Sequence, residues 1–375
     1  MKNTLSIRPS LMLEIVAAAV YVFLFLYSSI SHSYDLLSEH PLYRQYHFDN
    51  RPQTVHIGIQ PLWLSGSLIT EVMRRDSILK RELNKIGMKV RFHSFLKGTD
   101  VNHFLLRGDL AAGVGGDMPT VLACAKGQVR VVSIMDLNFT TVVSSQPTTL
   151  QDLSGKTIGY AFGSNAHYSL LKALSAVELT EDDVRLIAMD VNQMPNALAN
   201  GDIDAFSAWE PTPTAALNTV EGAAVVSRSL SSGYLYFRAD FLKRSPQAAN
   251  ALLASQIRAL VWIKKSLSNL EKASQWAIDA GKEMAPDTPQ LKLETYTASA
   301  REALSHVTSI PIIPNSDFSA DGRMAQAVSF LNKLGKTPRG FSWKDINTCL
   351  DGETLPNLLK KLNPHLQPAF FPGRD

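Results

Sequence analysis

The hydrophobic positions of this chain fall into two periods that take turns. Short runs of β-branched and apolar residues are each followed by a stretch in which apolar residues recur every three or four positions. The first pattern predicts a strand and the second an amphipathic helix. Val55-His56-Ile57-Gly58-Ile59-Gln60, ended by Pro61, predicts the first strand, with a helix from about Ser67. Val90-Arg91-Phe92-His93-Ser94-Phe95 predicts a second strand and a helix after it, and Gly108-Asp109-Leu110-Ala111-Ala112 a tight turn with a third strand. The order then returns. Ile158-Gly159-Tyr160 precedes a helix from about Asn165, Val184-Arg185-Leu186-Ile187-Ala188-Met189 precedes another, and Gly201-Asp202-Ile203-Asp204-Ala205 closes the copy. Eight positions after Asp109 and Asp202 stands a further acid, Asp117 or Glu210, with Pro119 or Pro211 close behind. Alternating strands and helices predict an α/β fold with parallel or mixed sheets. The internal repeat predicts two similar lobes. Ligands of open α/β sheets sit beyond the carboxyl ends of the strands, so two lobes facing each other would line one cleft with these acid-plus-proline segments.

The remaining third has a different pattern. Ser245 to Ala280 is helical in period, the stretch after it is punctuated by Pro286, Pro289, Pro311 and Pro314, and another helix is predicted over about Met324 to Leu334. These helices have no strands of their own and are expected to pack on the first lobe. At the other end, Lys2 and Arg8 precede an apolar run from Ile15 to Tyr27, followed by Ser28, Ser29, Ser31 and Ser33. That order is the n-, h- and c-region of a secretory signal. Extended from Leu11 to Ile30, the run also reaches the ~20 residues of a bilayer span, with its positive flank on the cytoplasmic side. Residues 1–33 are therefore expected to be a signal peptide or a membrane anchor, with the rest exported to the periplasm or the extracytoplasmic face of the membrane. No cysteine follows the run, which argues against a lipid anchor. Residues 34–53 read as a linker.

Composition narrows the function. The 375 residues are 45% hydrophobic and 19% charged with a net charge of +3, enough for a packed core and too mild for a nucleic-acid partner. Cys124 and Cys349 form no CxxC and adjoin no histidine cluster, so no metal site is expected. Cys124, inside the helical run Thr120 to Ala125, reads as a small buried residue; a disulfide with Cys349 is the alternative in an oxidising compartment. GxSxG, HExxH, a Walker loop and GxGxxG after a strand are all missing, so neither an enzyme nor a cofactor is expected.

The candidate site is built around Gly163-Ser164-Asn165-Ala166-His167, which follows a strand and opens a helix. A first helical turn leaves backbone N–H groups unbonded at the positive end of the macrodipole, a place for an anion. Ser164 or Asn165 is the expected N-cap. Read alone, the segment is more simply a well-capped helix, and His167 beside a serine invites an acid–base role for which no nucleophile is at hand. Gly115-Gly116-Asp117-Met118-Pro119 is similar, with Asp117 expected to cap the helix that Pro119 opens. Trp209 is either a pocket wall or plain core, and Glu210 is a partner for a cationic group or for backbone N–H groups. Gln60 and Trp63 occupy the matching rim of the first lobe.

Taken together these segments resemble the substrate-binding proteins of ABC importers in the aliphatic-sulfonate, taurine and nitrate group. The resemblance covers about residues 53 to 270. It is carried by Leu153-Ser154-Gly155-Lys156-Thr157-Ile158-Gly159, Gly163 to His167, Ala197-Leu198-Ala199-Asn200-Gly201-Asp202-Ile203-Asp204-Ala205 and Trp209-Glu210-Pro211, with Phe95-Leu96-Lys97-Gly98-Thr99 and Gly116 to Pro119 in the first lobe. The Ser-x-Ala-His form points to the sulfonate branch. Asn165, where a second serine is common, and the bulky Pro61-Leu62-Trp63-Leu64 depart from the pattern. The resemblance implies a two-lobed type II periplasmic-binding-protein fold with the ligand cleft between the lobes. Residues 54–142 would begin lobe one, 143–235 form lobe two, 236–345 return to lobe one and 346–375 form a tail. The pocket would collect Gln60, Trp63, Gly98, Thr99, Asp117, Met118, Ser164, Asn165, Ala166, His167, Trp209 and Glu210. Implied partners are a small anionic solute, with sulfonate and taurine ahead of nitrate, bicarbonate or a pyrimidine, and an ABC permease with its ATPase; the protein would be a monomer. A membrane-tethered sensor of the same fold, held by an uncleaved N-terminal segment, is the competing reading. An enzymatic branch of the resemblance uses a cysteine-rich motif that this chain lacks.

Overall fold

The computed structural model describes residues 37–49 and 53–361. The signal peptide or anchor expected over 1–33 lies outside the described residues. Among the described residues no helix is long and apolar enough to cross a membrane. The chain divides at His47 into two units. The first, over its described residues 37–47, is a string of turns in which Tyr43 stacks on His40 with ring centroids 4.6 Å apart.

The second unit holds the α/β body. In chain order its elements are β1 (Thr54–Ile59), α1 (Leu64–Arg74), α2 (Ser77–Lys85), β2 (Lys89–Ser94), α3 (Gly98–Arg107), β3 (Ala112–Gly116), α4 (Asp117–Cys124) and the long β4 (Val129–Ser144). The pattern repeats as β5 (Thr157–Tyr160), α5 (Asn165–Ser175), β6 (Arg185–Ala188), α6 (Met194–Ala199), β7 (Ala205–Trp209), α7 (Thr212–Thr219) and the long β8 (Ala224–Arg238). Helices α8 (Ala239–Arg244), α9 (Pro246–Lys265), α10 (Leu267–Met284), α11 (Leu293–Ser305), α12 (Arg323–Lys333), α13 (Trp343–Cys349) and α14 (Thr354–Lys361) complete it.

One eight-stranded sheet runs through the unit in the order β2-β1-β3-β8-β4-β7-β5-β6. The outer threes, β2-β1-β3 and β6-β5-β7, are each parallel. They are the two copies of the repeat, and each forms the sheet of one lobe. Between them β4 and β8 pair antiparallel along their whole lengths. At ~3.3 Å per residue β4 is about 50 Å long, too long for one lobe, so the β4–β8 ribbon crosses from one lobe into the other. The register of the pair shifts between Val131 and Ser133 and again between Ile134 and Asp136, irregularities that bend and twist a ribbon.

Burial accounts for the elements. In the second lobe Ile158, Leu170, Leu174, Leu153 and Val142 form one core cluster, each fully buried aliphatic side chain contributing about 1.5–3 kcal/mol. Leu68, Ile69 and Val72 of α1 and Leu79 and Leu83 of α2 are buried in the first lobe. Two sequence expectations need correction here. The glycine–aspartate segments expected as third strands are the turns before them. Gly108 ends α3 in the left-handed region at φ 103, and the N–H of Asp109 bonds back to Phe104 O; Asp202 closes α6 on Ala197 O in the same way. The strand after that turn in the first lobe is Ala112-Gly113-Val114-Gly115-Gly116, whose glycines carry no strand signal. The C-terminal helices, in turn, do not cover the first lobe alone. α9 and α10 pack on α1 and α12 on α4, yet Phe330 of α12 meets Tyr168 of α5 edge-on at 5.7 Å and Lys336 pairs with Glu181 at 2.7 Å.

Cys124 is buried, but as half of a disulfide. It is bonded to Cys349 across 225 residues, at 2.07 Å. The segment so tied also leans on β4, where Asp351 N–H donates to Val131 O at 2.8 Å.

Candidate functional site

The N-termini of α3, α4 and α5 meet at one place, and three glycines allow it. A Cβ on Gly98, the first residue of α3, would lie 2.9 Å from Pro119 of α4. On Gly116, the N-cap of α4, it would lie 2.8 Å from Asn165 of α5. Gly163, before α5, has φ 72, and a Cβ there would lie 2.7 Å from Thr99 Oγ1 of α3. Two helix starts from the first lobe thus abut one from the second. Each presents the positive end of a macrodipole and N–H groups without intrahelical acceptors.

Ser164 is the N-cap of α5. Its hydroxyl accepts from His167 N at 3.2 Å and donates to Ala161 O at 2.6 Å, which leaves the N–H groups of Asn165 and Ala166 as the ones not used by the cap. His167 is fully buried, and its Nδ1 accepts from Gly163 N at 3.2 Å. The proton therefore sits on Nε2, facing Glu181 Oε1 at 3.5 Å. Burial holds its pKa below the usual value against the opposing pull of Glu181. A neutral, fully engaged imidazole positions the loop, and the acid–base reading has no support in this geometry.

Direct bonds cross from lobe to lobe around this point. Thr99 Oγ1 donates to Gly163 O at 2.9 Å, Trp209 Nε1 to Leu62 O at 2.9 Å, and Leu64 N to Glu210 O at 2.9 Å. Lys97, the residue before α3, reaches Asp190 of the second lobe at 2.6 Å and Asp100 at 3.4 Å. Burial works to lower the pKa of Lys97, but the two carboxylates outweigh it and the group stays charged. Asn165 Nδ2 donates to Ser231 Oγ at 3.0 Å on the β8 side of the ribbon.

The other expected residues are placed as follows. Gln60 follows β1 and donates to Val114 O at 2.7 Å. Met118 is buried in the first turn of α4. Trp63 is buried against the ribbon: its indole N–H donates to Asp136 Oδ2 at 3.0 Å, and a Cβ on Gly233 would fall 2.2 Å from its ring. The bulky loop after β1 therefore fills the crossing point of the ribbon. Burial there pushes the Asp136 carboxyl up to about 6. Trp209 is buried at the end of β7. Glu210 accepts from Thr214 N at 3.3 Å, capping the turn into α7, and burial raises its pKa.

Asp117 corrects an expectation. It is the first residue of α4 and not its cap, which is Gly116. Its carboxyl oxygens instead accept from Ser232 N of β8 at 3.1 and 3.0 Å. Burial pushes the group up to about 7, which weakens its opposition to an anion. Sequence reasoning missed Lys97, Asp190, Ser231 and Ser232. Lys97 was findable, as a cation directly before a helix start; the serines lie on a strand whose course only the sheet reveals.

A model of the NMT1-like family matches residues 50–278, more than half of the chain. The chain belongs to the NMT1-like family. Among curated proteins, it is 27% identical over 246 residues to the taurine-binding periplasmic protein of Escherichia coli K12, covering 59% of this chain and 74% of that one. It is 25% identical over 175 residues to a provisionally named aliphatic sulfonates-binding protein of the same organism, spanning 45% of this chain and only 53% of the relative. Among solved structures, the alkanesulfonate-binding protein SsuA from Xanthomonas axonopodis pv. citri, bound to MOPS, superposes with a TM-score of 0.60 at 19% identity. That superposition covers 81% of this chain and 99% of SsuA, and it establishes the two-lobed periplasmic-binding-protein fold.

Proposed function

We propose that this protein is an extracytoplasmic solute-binding protein of an ABC importer. It captures a small anionic solute, an aliphatic sulfonate or taurine, closes its lobes on it and delivers it to a membrane permease and its ATPase. The observation that carries this reading is the meeting of three helix N-termini from both lobes at Gly98, Gly116 and Gly163, with Lys97 alongside. An anionic head group placed there accepts from unbonded N–H groups of both lobes at once, so it favours the closed form over the open one. The names of the family relatives support the choice of a sulfonate or taurine.

The test is calorimetric titration of the protein with taurine and short alkanesulfonates, compared with Asn165→Asp. An aspartate in the first turn suits the helix dipole, so the variant is expected to fold, while its charge faces the head group. Two like charges ~4 Å apart repel by about 4 kcal/mol at an effective dielectric of ~20, so affinity is expected to fall at least tenfold. An unchanged affinity would place the head group elsewhere.

Asp117 adds a pH dependence. Its carboxyl, raised to about 7, is neutral below that pH and repels an anion above it. Sulfonate affinity is expected to be level below about pH 6 and to fall by up to about tenfold per unit above pH 7. Asp117→Asn keeps an acceptor for Ser232 N and is expected to flatten the profile; a profile equally steep in the variant would remove Asp117 from the site.

A further inference from the structure

We propose that a second cavity, at the seam between the lobes, receives a hydroxyl group at the far end of the solute. The proposal rests on the solute-binding reading and specifies it: the ligand would be a hydroxyalkanesulfonate. The cavity has a volume of about 30 Å³, more than the roughly 10–15 Å³ that a single water-sized group needs. Asn192 and Pro211 of the second lobe form one wall, and Leu62, Thr288 and Tyr296 form the other. It is therefore complete only when the lobes are together. Short stretches of chain tie it to the cleft: Asn192 lies two positions after the Asp190 that Lys97 grips at 2.6 Å, and Pro211 follows Glu210.

Three residues of its lining each carry a buried polar atom, Asn192 Oδ1, Thr288 Oγ1 and Tyr296 Oη, with no hydrogen-bond partner among the described residues. Tyr296 as a whole is 4% exposed. A buried hydroxyl or amide left without a partner is costly, so three around one void mark a place made for a polar group. Among the described residues no charged side chain lines the cavity. An ammonium or carboxylate would be buried there without a counter-charge, which is unfavourable. A hydroxyl is neutral, donates to Asn192 Oδ1 and accepts from Tyr296 or Thr288. The volume admits one such group and not a ring.

Calorimetric titration tests this with three matched series of two, three and four carbons: plain alkanesulfonates, their terminal hydroxyl derivatives and their terminal amines. At one length the hydroxyl compound is expected to bind at least tenfold more tightly than the plain one, and more tightly than the amine. Tyr296→Phe is expected to erase that preference and leave plain alkanesulfonates unchanged. Equal binding of all three series, or a preference that survives in Tyr296→Phe, overturns the proposal while leaving the anion cleft intact. Silence from every sulfonate would sink the cleft reading instead. The unliganded protein then still judges the cavity. Removing an unpartnered hydroxyl is expected to raise the melting temperature of Tyr296→Phe by about 1–2 °C, whereas a lowered one would mean that a bound water already satisfies Tyr296, and the cavity would be a structural water site only.

Discussion

Replacing Cys124 and Cys349 together by alanine is expected to lower the stability of this protein by about 3–5 kcal/mol. The bond closes a loop of 225 residues, which contains both long ribbon strands and the whole second lobe. In the chain-entropy account the constraint on the unfolded chain grows with loop length and reaches nearly 5 kcal/mol at about 100 residues; measured losses for native disulfides are about 2–5 kcal/mol. The other contacts that hold residues 343–361 are modest: the buried Ile346, Leu355 and Leu358, the bridge between Val131 and Leu350 and the bond from Asp351 N to Val131 O. Denaturant melts of the wild type with and without a reductant, beside the double variant, check the prediction. The reduced wild type and the variant should share a lowered midpoint. A midpoint that does not move would show that these local contacts suffice and that the bond constrains little.

Asp76→Ala is expected to cost about 4–6 kcal/mol, although Asp76 is not one of the cleft residues. Its carboxylate caps α2, accepting from Ile78 N at 2.8 Å and Leu79 N at 3.1 Å. It also accepts from Ser255 Oγ at 2.7 Å and Arg258 Nε at 2.9 Å on α9. Asp76 is 1% exposed and Arg258 8%. Truncating the acid strands a buried guanidinium and uncaps a helix in one step; the first loss alone is about 3–5 kcal/mol and a cap about 1 kcal/mol. Asp76→Asn keeps the cap and loses the charge, so it should fall between. Asp76→Ala with Arg258→Met removes the stranded charge and should be more stable than Asp76→Ala alone. A loss near 0–1 kcal/mol in the single variant would mean that the pair behaves as a solvent-exposed one.

These expectations separate the features legible in the chain from those that were not. The alternation of periods, the repeat, and the starts of α1 and α5 are local properties. A strand needs period two or an apolar run, a helix needs period three to four, and the Ser164 cap is made within four residues of chain. The same local reading slipped at Gly108 and Gly201, where a helix-closing turn stands in place of the expected strand. It misjudged Asp117, because a side chain beside a helix start has a local acceptor role that a distant N–H, here that of Ser232, can displace.

The sequence by itself determined the two α/β copies and the glycines and caps at their strand ends, since those follow from short-range periodicity and local backbone chemistry. The tertiary structure alone decided that β4 and β8 form one ribbon through both lobes, that Trp63 fills its crossing point, that Cys124 finds Cys349, and that the starts of α3, α4 and α5 touch. Each of these joins residues far apart in the chain. Such contacts depend on how whole elements pack against one another, and no local pattern of apolar and polar residues encodes which distant partner arrives.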